Sequence, residues 1–138
     1  MAENERCKKM RLKPGMRAAI LNAPPGYLAE LVPLPENVEL LQSAQGQSDW
    51  VQLFVQTKAE LEAALPRALP ALKPESFLWI SFPKGSSKMQ TDLTRDKGWE
   101  GIRATGLKWV TLISVNATWS AFGFRLLRAG EERQMWSS

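Results

Sequence analysis

Two apolar runs near the end of the chain, 107–115 and 119–127, are separated only by Asn116, Ala117 and Thr118. A link this short joins antiparallel neighbours, whereas a parallel crossover takes about a dozen residues or more. The sheet therefore finishes in an antiparallel hairpin. Upstream, the runs at 17–22, 50–55 and 77–82 are spaced widely enough for helical crossovers. WVQLFV and FLWISF read as strands buried on both faces, and NVELLQ at 37–42 as one more strand. The pattern is that of an α/β protein with an open sheet of about six strands, mostly parallel.

The clearest helix start is the capping box of Thr57 and Glu60, in which hydroxyl and carboxylate each satisfy an early backbone N–H. Leu61, Leu65, Leu69 and Leu72 then form one apolar stripe, interrupted by Pro66 and Pro70, which kink or shorten the helix. A first helix is expected over 2–12, with Cys7, Met10 and Leu12 loosely on one side and Lys13-Pro14-Gly15 ending it. Val32-Pro33-Leu34-Pro35 reads as an extended connector. A further helix is capped by Thr91 or Asp92 and stopped by Gly106. These readings divide the chain into a basic N-terminal helix or arm at 1–16, one α/β domain at 17–127, and a polar tail at 128–138.

The chain has 138 residues, enough for one core without disulfides or metals. It contains no histidine and a single cysteine, Cys7. That removes Ser-His and Cys-His nucleophile pairs, the usual general base near neutral pH and the commonest transition-metal ligand, so no metal site is expected. Cys7 reads as a plain exposed thiol. With neither a membrane-length apolar run nor an N-terminal leader pattern, a cytoplasmic location away from membranes is expected. The charge is uneven. Residues 1–17 hold six basic groups against Glu3 and Glu5, while the remainder is electrically neutral. A solvated helix is the simpler reading of Arg6, Lys8, Lys9, Arg11, Lys13 and Arg17; nucleic acid contact through 6–17 is the sharper one. Of the six tryptophans, Trp50, Trp79, Trp109 and Trp119 fall in strands and read as core. Trp99 and Trp136 read as the exposed ones.

After the first strand comes Asn22-Ala23-Pro24-Pro25-Gly26-Tyr27. A nucleotide normally sits over such a loop, held by backbone N–H groups of a glycine-rich turn. Pro24 and Pro25 have no N–H to give. Parallel strands with a final hairpin resemble the class I S-adenosylmethionine-dependent methyltransferase fold. Leu12-Lys13-Pro14-Gly15 resembles the phrase before its cofactor motif, and Leu72-Lys73-Pro74 with Phe77-Leu78-Trp79-Ile80-Ser81 resembles its LKPGG-x-L-x-I-S segment. Asp49 with the run 50–55 is similar to its fourth-strand segment. Four phrases are also similar to an uncharacterised bacterial family of short methyltransferase-like chains. They are LNAPPGY (21–27), WISFPKGS (79–86), TDLTRD (91–96) and TWS (118–120).

The resemblance implies a three-layer Rossmann-like sheet of spatial order 2-1-3-4-6-5 and S-adenosylmethionine as cofactor. The motif itself is degenerate. Its acidic residue falls at Ile20, and its first two glycines fall at Asn22 and Pro24; only Gly26 matches. The ribose-gripping acid after strand two is replaced near Gln42, and the LKPGG glycines become Glu75 and Ser76. Together these changes argue against ordinary cofactor binding.

Ligands in such sheets bind at the carboxyl ends of the strands where the order reverses. That rim holds Asn22, Gly26, Tyr27, Gln56 and Thr57, unless Pro24, Pro25 and Tyr27 fill the cleft. A second candidate, for an anion, is Lys84, Ser86, Ser87 and Lys88 beside a helix start. The leading functional reading is a non-catalytic or cryptic small-ligand binding module. The alternatives are a minimal methyltransferase and a protein- or nucleic-acid-interaction domain, the last compatible with a homodimer through an exposed sheet edge.

Overall fold

Six strands in the computed structural model, β1 (Arg17–Leu21), β2 (Glu39–Leu41), β3 (Ser48–Phe54), β4 (Leu72–Pro83), β5 (Lys108–Ser114) and β6 (Trp119–Arg125), form one sheet of order β2-β1-β3-β4-β6-β5. The structure describes residues 5–32, 34–42, 46–84, 93, 98–105 and 107–126. The pairs β2–β1, β1–β3 and β3–β4 are parallel, and β4–β6 and β6–β5 are antiparallel. This is the expected α/β Rossmann-like topology, with the hairpin that the link at 116–118 demands.

Among the described residues, four helices flank the sheet: α1 (Glu5–Lys9), α2 (Tyr27–Leu31), α3 (Lys58–Ala68) and α4 (Glu100–Thr105). Alternation along the strands sorts the core into two layers. Ala19, Leu21, Val51, Leu53, Leu78 and Ile80 pack with Leu61 and Leu65 of α3 and Ile102 of α4. Ala18, Ile20, Trp50, Phe54, Trp79 and Trp119 pack instead with Cys7 and Met10 of the N-terminal segment and with Tyr27 and Leu31 of α2. Thr57 caps α3 as its sequence predicts, its Oγ1 accepting from the Glu60 N–H at 3.1 Å. Pro66 lies inside the helix, which gives way after Ala68 to a 3-10 turn at Leu69–Ala71. Leu72 therefore belongs to β4 and not to the helical stripe.

Where β4 opens, its register slips: Ser48 pairs with Leu72, but Trp50 pairs with Phe77. The extra residues are closed by Ser76, whose Oγ accepts from the Lys73 N–H at 2.7 Å and donates to the Ser48 carbonyl. The Lys73 ammonium pairs with Asp49, whose carboxylate also accepts from the Arg17 N–H at 2.8 Å. These partners hold the Asp49 carboxyl below its ordinary range, the Arg17 N–H contributing most.

Several expectations are corrected. The N-terminal segment is more than a solvated helix: Cys7, Met10 and Leu12, expected on one side, are fully buried on the sheet, while Lys8, Lys9 and Arg11 are exposed. Charge hides this in the sequence, because the basic residues outnumber the few apolar ones that dock. The Met10 carbonyl accepts hydrogen bonds from both Trp50 Nε1 and Trp79 Nε1, each at 2.8 Å. Cys7 is buried, not exposed, and its thiol donates to the Leu31 carbonyl at 3.4 Å. Trp99 is buried against Phe82 and Phe122, whereas Trp109 on the outermost strand is 39% exposed. The burial of an aromatic follows where its segment lies against the sheet, which local sequence does not display. The expected start of the last helix, at Thr91 or Asp92, and Trp136 lie outside the described residues.

Candidate functional site

Adjacent parallel strands bring the loop after β1 and the head of α3 to the same carboxyl edge, since Leu21 stands beside Leu53 in the β1–β3 register. Asn22 leaves β1 at φ 59° and Gly26 precedes α2 at φ 82°. Asparagine and glycine are the residues that tolerate this left-handed backbone. Both are exposed, and a Cβ added at Gly26 would meet nothing within 4 Å, so the loop faces open space. Across the edge, the Gln56 N–H donates to Glu60 Oε1 at 2.7 Å. The capping carboxylate thus reaches the residue before Thr57. Asn22, Gly26, Gln56 and Thr57 lie at this carboxyl edge, with the Glu60 carboxylate beside Gln56 as a formal charge.

Tyr27 is placed differently. The turn that the Tyr27 N–H closes on the Pro24 carbonyl, at 3.1 Å, drives its ring into the α1/α2 layer, where it is 1% exposed. Its hydroxyl donates to Gln52 Oε1 at 2.8 Å, and Gln52 Nε2 donates to Ser81 Oγ at 3.0 Å. Gln52 and Ser81 are both fully buried. The loop, β3 and β4 are therefore tied by one polar chain beneath the rim. The Tyr27 ring stands edge-on to Phe54 with centroids 4.6 Å apart, and Phe54 stands edge-on to Trp119 at 5.1 Å. Burial pushes the Tyr27 hydroxyl well above the ordinary phenol range, so it stays protonated and cannot serve as a base near neutrality.

Sequence reasoning missed Gln52 and Ser81, although a glutamine inside WVQLFV was a visible signal that one buried polar group needed a partner. It also missed α2. Only five residues long, α2 shows a single i, i+4 pair, Tyr27 and Leu31, which is too little periodicity to detect.

At the other end of the same edge, the Lys84 N–H donates to the Thr118 carbonyl at 2.8 Å and its Nζ to Ser114 Oγ at 2.6 Å. Ser86, Ser87 and Lys88 lie outside the described residues. The basic segment meets this corner too. Arg6 Nε donates to the Val115 carbonyl at 2.8 Å, a second guanidinium nitrogen to the Glu30 carbonyl at 2.9 Å, and Lys9 Nζ to the Ser114 carbonyl at 2.7 Å. Asn116 Nδ2 donates to Glu30 Oε1 at 3.1 Å. Among the described residues no cluster of acidic or cysteine side chains could hold a metal ion, and no helix is long and apolar enough to cross a membrane.

The fold is that of the S-adenosylmethionine-dependent methyltransferases. A SAM-dependent methyltransferase from Aquifex aeolicus superposes with a TM-score of 0.62 at 14% identity, covering 89% of this chain and 88% of that one. The ribosomal protein L11 methylase of Lactobacillus delbrueckii subsp. bulgaricus gives 0.57 at 11% identity, with 89% and 76% covered. DhpI in complex with SAH gives 0.58 at 14% identity, with 88% and 81% covered. Identities this low show common architecture only. No family model matches the sequence, and a search of curated proteins finds no match.

Proposed function

We infer that the chain is a small-ligand binding module built on a methyltransferase-like sheet, and that its ligand sits at the carboxyl edge over the β1–β3 junction. The inward turn of Tyr27 carries this reading. With the ring sealed below and its hydroxyl committed to Gln52, the rim above offers Asn22, Gly26, Gln56 and Thr57 as neutral hydrogen-bonding groups. The Glu60 carboxylate beside them is engaged with the Gln56 N–H, which suits recognition more than proton transfer. The phrases LNAPPGY, WISFPKGS and TWS support membership of the uncharacterised family of short methyltransferase-like chains.

The residues present do not fit S-adenosylmethionine in the usual manner. Asn22 occupies a left-handed position where the motif has glycine, Pro24 and Pro25 give no N–H, and exposed Gln42 follows β2 where the motif has an acid. The structural likeness to methyltransferases favours a minimal methyltransferase as the second reading.

The test is a 15N-resolved NMR titration with adenosine, S-adenosylmethionine and S-adenosylhomocysteine, alongside a thermal-shift series. A ligand at 100 times its dissociation constant stabilises the native state by ~2.7 kcal/mol, a readable melting shift. Saturable shifts confined to Asn22, Gly26, Gln56 and Thr57 without methyl transfer support the module. Turnover of labelled S-adenosylmethionine moves the assignment to the second reading. Silence at these four residues with every ligand removes the site.

A further inference from the structure

An open surface concavity of about 540 Å³ lies where α1 meets the end of β5, lined by Arg6, Lys8, Lys9, Ser114 and Val115. We propose that this pocket binds a small phosphorylated molecule through Arg6, Lys8 and Lys9, at a site separate from the β1–β3 rim. The proposal does not depend on the preceding reading.

The argument begins with charge. Three cations line one concavity, and Lys84 reaches Ser114, the same wall, from β4. Like charges gathered on so short a helix repel one another. The Glu30 carboxylate lies 3.7 Å from Arg6 and also accepts from Asn116. A multivalent anion in the concavity would face Arg6, Lys8 and Lys9 together.

The walls are also set in advance. Arg6 is fixed by the Val115 and Glu30 carbonyls, and Lys9 by the Ser114 carbonyl. Each ammonium carries three donors, so Lys9 can hold the Ser114 carbonyl and still donate to a ligand. Lys8 is exposed at the mouth and makes no ion pair among the described residues. Side chains ordered before binding lose less entropy on binding.

Size and surroundings select the ligand. The volume falls in the ~300–1,000 Å³ range of small-molecule sites and exceeds what a bare phosphate fills. Nucleic acid is the weaker fit, because single strands are gripped by aromatic stacking as well as charge. The exposed indole of Trp109 is five strand residues from Ser114, about 17 Å along β5.

Calorimetric titration of the full chain with inorganic pyrophosphate at low ionic strength tests the proposal. One saturable site is expected, weakened about tenfold or more by Lys8→Glu. The charge-matched control Lys108→Glu, at the opposite end of β5, leaves the affinity unchanged. Circular dichroism and melting establish that both variants are folded, and both changes are at surface positions outside the core. The proposal is overturned by absence of saturable binding, or by equal loss in the two variants, which means diffuse charge. Binding of a single-stranded RNA oligonucleotide without binding of pyrophosphate overturns it in favour of a macromolecular polyanion.

Discussion

The Tyr27 hydroxyl and the Gln52 amide oxygen, 25 residues apart in sequence, meet at 2.8 Å in a buried layer of the sheet. This contact decides that the aromatic of the loop belongs to the scaffold. Tyr27→Phe keeps the ring but leaves the Gln52 oxygen without its donor, and is expected to cost about 1–3 kcal/mol in chemical denaturation.

Tyr27 is the only tyrosine in the chain, so its ionisation can be followed by ultraviolet absorbance without ambiguity. Its folded pKa is raised above the unfolded value of about 10. The stabilisation is therefore fully present below that pH and is lost as pH rises toward the folded pKa. Phenolate absorbance should appear only together with alkaline unfolding. A titration near pH 10 in protein that remains folded would refute the placement of the ring.

Gly123 on β6 packs beneath an aromatic pair. A Cβ there would stand 2.9 Å from Cζ of Phe77 and 2.9 Å from Cζ3 of Trp79, and closer still to Cε1 of Phe77. The rings pack on each other with centroids 4.8 Å apart. Gly123→Ala should destabilise by about 1–3 kcal/mol through overpacking. An unchanged melting temperature would show that the rings move freely.

At the start of β3, Asp49 links Arg17 and Lys73. Its folded pKa is depressed, so its contribution is present above the unfolded pKa of about 3.9 and fades as pH falls toward the folded value. Asp49→Asn should flatten the acid limb of the stability profile as pH falls below the unfolded pKa, and leave the alkaline limb unchanged. Parallel acid limbs in the two proteins would rule out this role.

The topology was legible because it follows from chain length between apolar runs: three residues at 116–118 permit only a hairpin, and the longer gaps permit crossovers. The start of α3 was legible because Thr57 and Glu60 act within one turn. What escaped was decided at long range. No local pattern distinguishes Trp109, on the outermost strand, from Trp50, near the middle of the sheet. Nor does one show that Tyr27 turns inward, since its partner lies on another strand. The extra residues at 73–76 are accommodated by a bond from Ser76 to Ser48, again a contact made across strands.

The Met10 carbonyl, shared by the indoles of Trp50 and Trp79, makes the N-terminal segment optically visible. Both rings are wholly shielded from water, so their emission should be blue and steady while the segment is seated. Protease clipping after α1, or a ligand that levers Lys9 away from Ser114, would free two buried donors on neighbouring strands and redden the fluorescence. The chain thus carries an intrinsic reporter in which an event at its charged surface is read out from the centre of its sheet.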